Sequence, residues 1–149
     1  MMIRHATTAD INPIIELISQ LGYEINKEQV ASNLHLYEKL QGFVFVCEED
    51  QRVIAFASGT FIPLFHSHEM MFRITALCVH ESRRGSGVGK ELMQKIEEVC
   101  RKKDCNYVEV TSGQQRKTDA HLFYESLGYH TYKGKRFTKR LDRANSTPK

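Results

Sequence analysis

The tightest constraint on this chain is a run of three alternating glycines, Gly85, Gly87 and Gly89, within Arg83-Arg84-Gly85-Ser86-Gly87-Val88-Gly89-Lys90. An apolar, strand-like run from Ile74 to Val79 leads into it, and Val88 to Arg101 leaves it with helical periodicity. Glycine lets backbone N–H groups crowd the start of that helix. Unpaired amides and the helix dipole both favour negative charge there. Arg83, Arg84 and Lys90 add mobile positive charge. The stretch therefore predicts an anion site whose occupant is phosphorylated. A glycine-rich turn with solvated arginines is the plainer alternative.

Three phosphate-binding patterns compete for these residues. A P-loop requires Gly-x-x-x-x-Gly-Lys-Ser/Thr, but Lys90 is followed by Glu91 and Arg84 stands five places before Gly89. The dinucleotide fingerprint requires Gly-x-Gly-x-x-Gly, whereas these glycines alternate strictly. The third pattern, Arg/Gln-x-x-Gly-x-Gly/Ala between a strand and a helix, is met by Arg84, Gly87 and Gly89. Here the chain resembles the GNAT superfamily of N-acetyltransferases, whose pyrophosphate-binding turn for acetyl-CoA has this form. A second stretch, Asp119 to Tyr129, is similar to the family's other signature, Ala-x-x-x-Tyr-x-x-x-Gly-Phe/Tyr, through Ala120, Tyr124, Gly128 and Tyr129. Two motifs in the right order are far more specific than either alone.

The rest of the chain reads as alternating elements. Ile3 to Ala6 is a strand, followed by a helix capped at Thr8 or Asp10 with Ile11, Ile14, Ile15, Ile18 and Leu21 on one face. Gly22 stops it, and Asn26 caps a second helix reaching Gly42. Phe43 to Cys47 and Val53 to Ser58 form a hairpin across the polar Glu48 to Gln51, and Thr60 to His68 reads as a loop containing Pro63. Phe72 to Val79 is a long strand, apolar on both faces toward its end and so central. After the glycine turn come a helix striped with Val88, Leu92, Met93, Ile96 and Val99, a strand over Tyr107 to Thr111 and a short helix over 118–127. Two last strands are expected near Tyr129 to Tyr132 and Arg136 to Leu141, with a disordered tail from residue 142. This order implies a mixed sheet with helices on both sides. The resemblance implies more: a single GNAT-like α/β (α+β) domain over residues 1–141, with a mostly antiparallel central sheet of about six to seven strands.

Composition narrows the class further. The 149 residues suit one core, and no apolar run approaches the roughly 20 residues of a membrane span. No signal-peptide pattern opens the sequence, so a cytoplasmic protein without membrane contact is expected. Cys47, Cys78, Cys100 and Cys105 lack metal-type spacing and read as buried, unbridged thiols. A net charge of +3 does not demand a nucleic-acid partner. The basic C-terminal segment, Lys133 to Arg143, is read first as solvated. A homodimer is left open.

The resemblance also assigns chemistry. Arg84, Gly85, Ser86, Gly87, Val88, Gly89 and Lys90 would hold the acetyl-CoA phosphates, and the backbone of Leu77, Cys78 and Val79 would pair with the pantetheine arm. A backbone N–H there would polarise the thioester carbonyl. Tyr124 corresponds to the family's general acid, a phenol that stays protonated at neutral pH and can protonate the departing thiolate. The enzyme would thus be an acetyl-CoA-dependent N-acetyltransferase moving an acetyl group to a small primary amine by direct attack in a ternary complex. The central strand departs from the family, since Arg73 to Leu77 carries no carboxylate to act as base. Glu69, His66 and His68 are base candidates by proximity alone. His66 and His68 can face one side of an extended segment and share an ion, but no third ligand is evident and no metal site is assigned. The stretches 116–124 and 136–139 are similar to the aminoalkylphosphonate N-acetyltransferases, whose acidic strand positions stand here as Arg73 and Ala76; an acidic amine would suit Arg73. An acetyl-CoA-binding sensor without turnover is the alternative that the missing carboxylate motivates.

Overall fold

The structure, a computed structural model, describes residues 1–112 and 117–142. The chain forms two compact units, Met1–Gly113 and Gln114–Lys149. In the first, β1 (Met2–His5) leads through a single 3-10 turn at Thr8–Asp10 into α1 (Ile11–Gln20), and α2 (Lys27–Lys39) follows. Three strands come next, β2 (Phe43–Glu49), β3 (Arg52–Pro63) and β4 (Met70–Val79). They are followed by a short 3-10 turn at Glu81–Arg83, α3 (Val88–Lys102) and β5 (Tyr107–Val110).

Local chemistry sets the helix starts. Thr7 and Asp10 form a reciprocal capping box, the Thr7 amide donating to Asp10 Oδ2 at 2.8 Å. Asn26 and Gln29 form another at α2, with bonds of 2.8 and 2.9 Å. Asp10 is buried yet anchored: Arg4 of β1 donates to both its carboxylate oxygens at 2.8 and 2.9 Å, and to Glu48 of β2 at 3.0 Å. That guanidinium holds the Asp10 carboxyl below the ordinary aspartate range. One arginine thus ties β1, β2 and the entry to α1.

The sheet runs β1-β2-β3-β4-β5, antiparallel except for the last pair. The mixed, mostly antiparallel α+β architecture expected from the sequence is present, with five strands among the described residues. The β2–β3 turn is tighter than its polar composition suggests. Only Asp50 and Gln51 lie outside the strands, at φ of 50° and 63°, the left-handed pair that matches the twist of a two-residue hairpin. The loop expected over Thr60–His68 also shortens. Its first four residues continue β3 because Met70 to Arg73 lie opposite them. Pro63 ends the strand, where the missing N–H costs least.

The helices cover both faces. Val44 and Val46 of β2 face α1 and α2, in a core built on Ile14, Leu17, Val30, Val46, Phe56 and Cys78. Phe43 and Phe45 point the other way and join Phe61 and Phe72 in an aromatic cluster, with Phe43 and Phe72 stacked at 4.6 Å. α3 packs on β3 and β4, burying Val88, Leu92, Met93, Ile96 and Cys100. Val99, expected on that stripe, is only half-buried, since the helix turns Cys100 inward instead.

The second unit contains α4 (Lys117–Ser126), closed by Gly128 at φ 88°, whose N–H donates to the Glu125 carbonyl at 3.0 Å. The two strands expected over 129–132 and 136–141 do not form among the described residues. A strand is stabilised by the neighbour it pairs with, and the described residues of this unit supply none. Tyr132, Phe137 and Leu141 are exposed. Of the expected tail, residues 143–149 lie outside the described residues.

Candidate active site

The site is built where β4 loses its neighbour. β4 and β5 pair in parallel from Met71↔Tyr107 to Ile74↔Val110, and there β5 ends. From Thr75 to Val79, β4 has no strand on that side among the described residues. Toward β3 the register shifts at the same place: Ser58 faces Ala76 while Gly59 faces Ile74, so Thr75 is an extra residue on β4. A bulge bends its strand and re-aims the side chains beside it. Leu77, Cys78 and Val79, expected along the pantetheine arm, lie on this open run. The Cys78 side chain is buried on the helix side, its thiol donating to the Leu17 carbonyl at 3.2 Å.

β4 then delivers the chain to the glycine turn. Gly85 and Gly87 adopt φ of 79° and 90°, a left-handed backbone that a Cβ penalises. Added Cβ atoms at either would meet nothing within 4 Å. The glycines are thus required by backbone conformation, and the turn is an open cradle. Gly87 is the N-cap of α3 and gives it no side-chain cap. The N–H groups of Val88, Gly89 and Lys90 therefore open the helix without intrahelical partners. Gly89 is buried in the first turn, while Arg84, Ser86 and Lys90 are exposed around it.

The positive charge is less mobile than composition suggests. Arg83 is held by Glu49 at 2.6 Å, across from the start of the β2–β3 turn. Arg84 Nε donates to the Val79 carbonyl at 3.4 Å. Arg83 thus belongs to the scaffold, and Arg84 and Lys90 remain as the cations beside the cradle.

Three residues that sequence reasoning did not single out meet at the bulge. Thr75 Oγ1 lies 2.8 Å from both Ser58 Oγ and Tyr37 Oη. This hydroxyl chain joins α2, β3 and β4 on the edge of a cavity of about 180 Å³ walled by Ile14, Ile18, Val30, Leu34, Val44 and Phe56. Only the bulge, invisible in sequence spacing, turns Thr75 toward Ser58. Arg73 points to Glu109 of β5, 3.6 Å away. His66, His68 and Glu69, the base candidates by proximity, are exposed in the β3–β4 loop. Among the described residues no three His, Cys, Asp or Glu side chains gather as metal ligands. No helix among them is long and apolar enough to cross a membrane.

In the second unit Tyr124 is half-buried on α4, its ring 5.1 Å from Phe123 and 6.1 Å from Tyr129. Tyr129 returns its N–H to the Tyr124 carbonyl at 3.1 Å. The helix stop at Gly128 thus fixes the surroundings of the tyrosine.

The family model described as the Acetyltransferase (GNAT) family matches residues 12–129. Among solved structures, an acetyltransferase of Trypanosoma brucei is similar over 95% of this chain and 98% of its own, at 25% identity and a TM-score of 0.76. A GNAT family acetyltransferase of Staphylococcus aureus is similar at 22% identity and TM-score 0.78, over 94% of this chain and 98% of its own. The aminoglycoside 6'-N-acetyltransferase of Acinetobacter haemolyticus shares the fold at 19% identity and TM-score 0.76, over 95% of this chain and all of its own (100%). No curated protein matches the sequence.

Proposed function

The chain belongs to the GNAT family of acetyltransferases, and on that premise we propose that it transfers acetyl from acetyl-CoA to a small primary amine by direct attack in a ternary complex. The observation that carries this reading is the open run of β4 from Thr75 to Val79 feeding an uncapped, left-handed N-terminus of α3. A strand edge offers backbone groups to an extended arm, and a helix start offers N–H groups to phosphate. The residues present fit the group. Leu77, Cys78 and Val79 pair with the pantetheine arm. The turn from Arg84 through Gly85, Ser86, Gly87, Val88 and Gly89 to Lys90 holds the pyrophosphate.

Acetyl-CoA supplies an activated thioester. The chain orients it, keeps the acceptor beside its carbonyl, and moves protons. Backbone N–H groups on the open run stabilise charge developing on the carbonyl oxygen. Tyr124, carried by the second motif, gives its phenolic proton to the leaving sulfur. Both units belong to one transferase domain in this reading.

Acceptors of the aminoalkylphosphonate type are a second class suggested by residues 116–124 and 136–139. The cation that would meet their acidic group, Arg73, is turned to Glu109, which favours an acceptor without a negative charge.

Calorimetric titration with acetyl-CoA tests the reading, followed by thiol release over a panel of amines. Binding that is lost in Gly87→Trp, whose bulky side chain occupies the cradle, supports it. A wild-type chain that does not bind acetyl-CoA overturns it.

A further inference from the structure

The cavity beside the bulge has walls that speak to what it accepts. It offers about 180 Å³, bounded mainly by aliphatic side chains from α1, α2 and the sheet. A cavity of roughly 150 Å³ with such walls takes up benzene, so this one has room for about one ring. Its polar groups come from Asn33, Tyr37, Ser58 and Thr75, and none of the described residues lining it is charged. Resting on the acetyltransferase reading above, we propose that the acceptor is a compact, apolar amine that enters uncharged, of the arylamine class, and that Thr75 orients its nitrogen.

Proton balance supports the uncharged form. When a neutral amine attacks the thioester, a C–N bond forms and the C–S bond breaks, its electron pair leaving with sulfur. One proton leaves nitrogen and one arrives at sulfur, so amide and thiol form with no proton left over. An alkylammonium, with a pKa like the roughly 10.4 of lysine, must first give a further proton to a base. It would also pay for burial without a counter-ion, since an unpaired ammonium among apolar walls favours its neutral form.

Thr75 is suited to hold the nitrogen without deprotonating it. A hydroxyl carries one proton and two lone pairs. Ser58 and Tyr37 each lie 2.8 Å from Thr75. The arrangement this proposal requires has Thr75 donate to one and accept from the other, which leaves a lone pair for an amine N–H. The carbonyl-facing lone pair of the nitrogen is left for attack. Ser58 is buried whereas Thr75 is exposed, so the chain is anchored at one end and reachable in the middle.

The titratable groups around this site are the Tyr37 phenol itself and, in the adjoining cavity that shares Leu34, Tyr37 and Val44, His5, His35 and Glu38. Any ionisation of the free enzyme enters kcat/KM for every amine alike. A difference between two amines therefore belongs to the amines.

The test uses the full chain with saturating acetyl-CoA and compares aniline, benzylamine, spermidine and kanamycin by thiol release. Aniline, neutral from mildly acidic to mildly basic pH, is expected to turn over, and any pH dependence of its kcat/KM belongs to the enzyme. Relative to aniline, the kcat/KM of benzylamine should rise about tenfold per pH unit, as its neutral fraction does. Thr75→Val should raise KM for aniline about fivefold to tenfold, the loss of one hydrogen bond, with acetyl-CoA affinity unchanged. Independently of turnover, the fluorine resonance of para-fluoroaniline should shift on adding protein without acetyl-CoA, and not with Ile18→Trp, which fills the cavity. Preference for spermidine or kanamycin over both ring amines would overturn the inference. So would acetyl-CoA binding without turnover of either ring amine, or a benzylamine profile parallel to that of aniline. Failure to bind acetyl-CoA would instead overturn the acetyltransferase reading, and the inference with it.

Discussion

Individual side chains in this molecule divide into those that hold backbone in place and those that face the chemistry. Arg83 shows how position in sequence misleads about this. It sits in the glycine stretch among cations, yet its 2.6 Å contact with Glu49 makes it a strut between the β4–α3 connection and β2. Arg84, one residue on, is exposed beside the cradle. Tyr124 is the residue on which the transfer reading depends most, because a thiolate leaves faster with a proton donor beside it. Tyr124→Phe keeps the ring and its contacts with Phe123 and Tyr129 and removes the hydroxyl that carries the proton. Turnover should fall by about 10²-fold with acetyl-CoA affinity unchanged. Normal turnover in steady-state kinetics would return Tyr124 to a packing role.

The elements are joined by few polar contacts, and these set their limits. Arg4, Asp10 and Glu48 connect β1, α1 and β2 in one network. Because folding lowers the Asp10 pKa, chiefly through its bonds from Arg4, the folded state favours the carboxylate. That stability is present above the ordinary aspartate value of about 3.9 and fades as pH falls through the lower, folded value. Asp10→Asn should cost about 2–4 kcal/mol near neutral pH, and urea melts of the variant should depend less on acid pH than those of the parent. An unchanged acid dependence would mean that other carboxylates set it. The glycine turn is limited by backbone conformation. At φ 90° Gly87 has space for a Cβ but not the right torsion, so Gly87→Ala should cost about 1–2 kcal/mol. Thermal melts measure it, and a neutral result would show that the turn relaxes.

At the scale of the whole molecule, core and site are assembled from the same sheet. All four cysteines are buried and none is in a disulfide. Burial pushes the Cys47 thiol up to about 11 and the Cys100 thiol to about 12, so neither carries much reactive thiolate at mildly alkaline pH, and burial shields all four from a reagent. A thiol reagent at such pH should label none of the four quickly in the native protein and all of them in guanidinium. Rapid native labelling would show that the core opens. By itself the sequence determined the strand–turn–helix around the glycines, the Asn26 cap of α2, most of the apolar stripe of α3 and the motif that carries Tyr124, because each rests on residues close along the chain. At the first helix the capping side chain is Thr7 rather than the expected Thr8 or Asp10. Only the tertiary structure decided the bulge at Thr75, the meeting of Tyr37, Ser58 and Thr75, the capture of Arg83 by Glu49 and the extension of β3 to Pro63. Each of these depends on which residues a neighbouring strand or helix sets opposite. The strands expected after Gly128 make the same point from the other side. Alternation and β-propensity favour a strand there, but hydrogen bonds from a partner are what stabilise one, and no spacing within 129–142 supplies them.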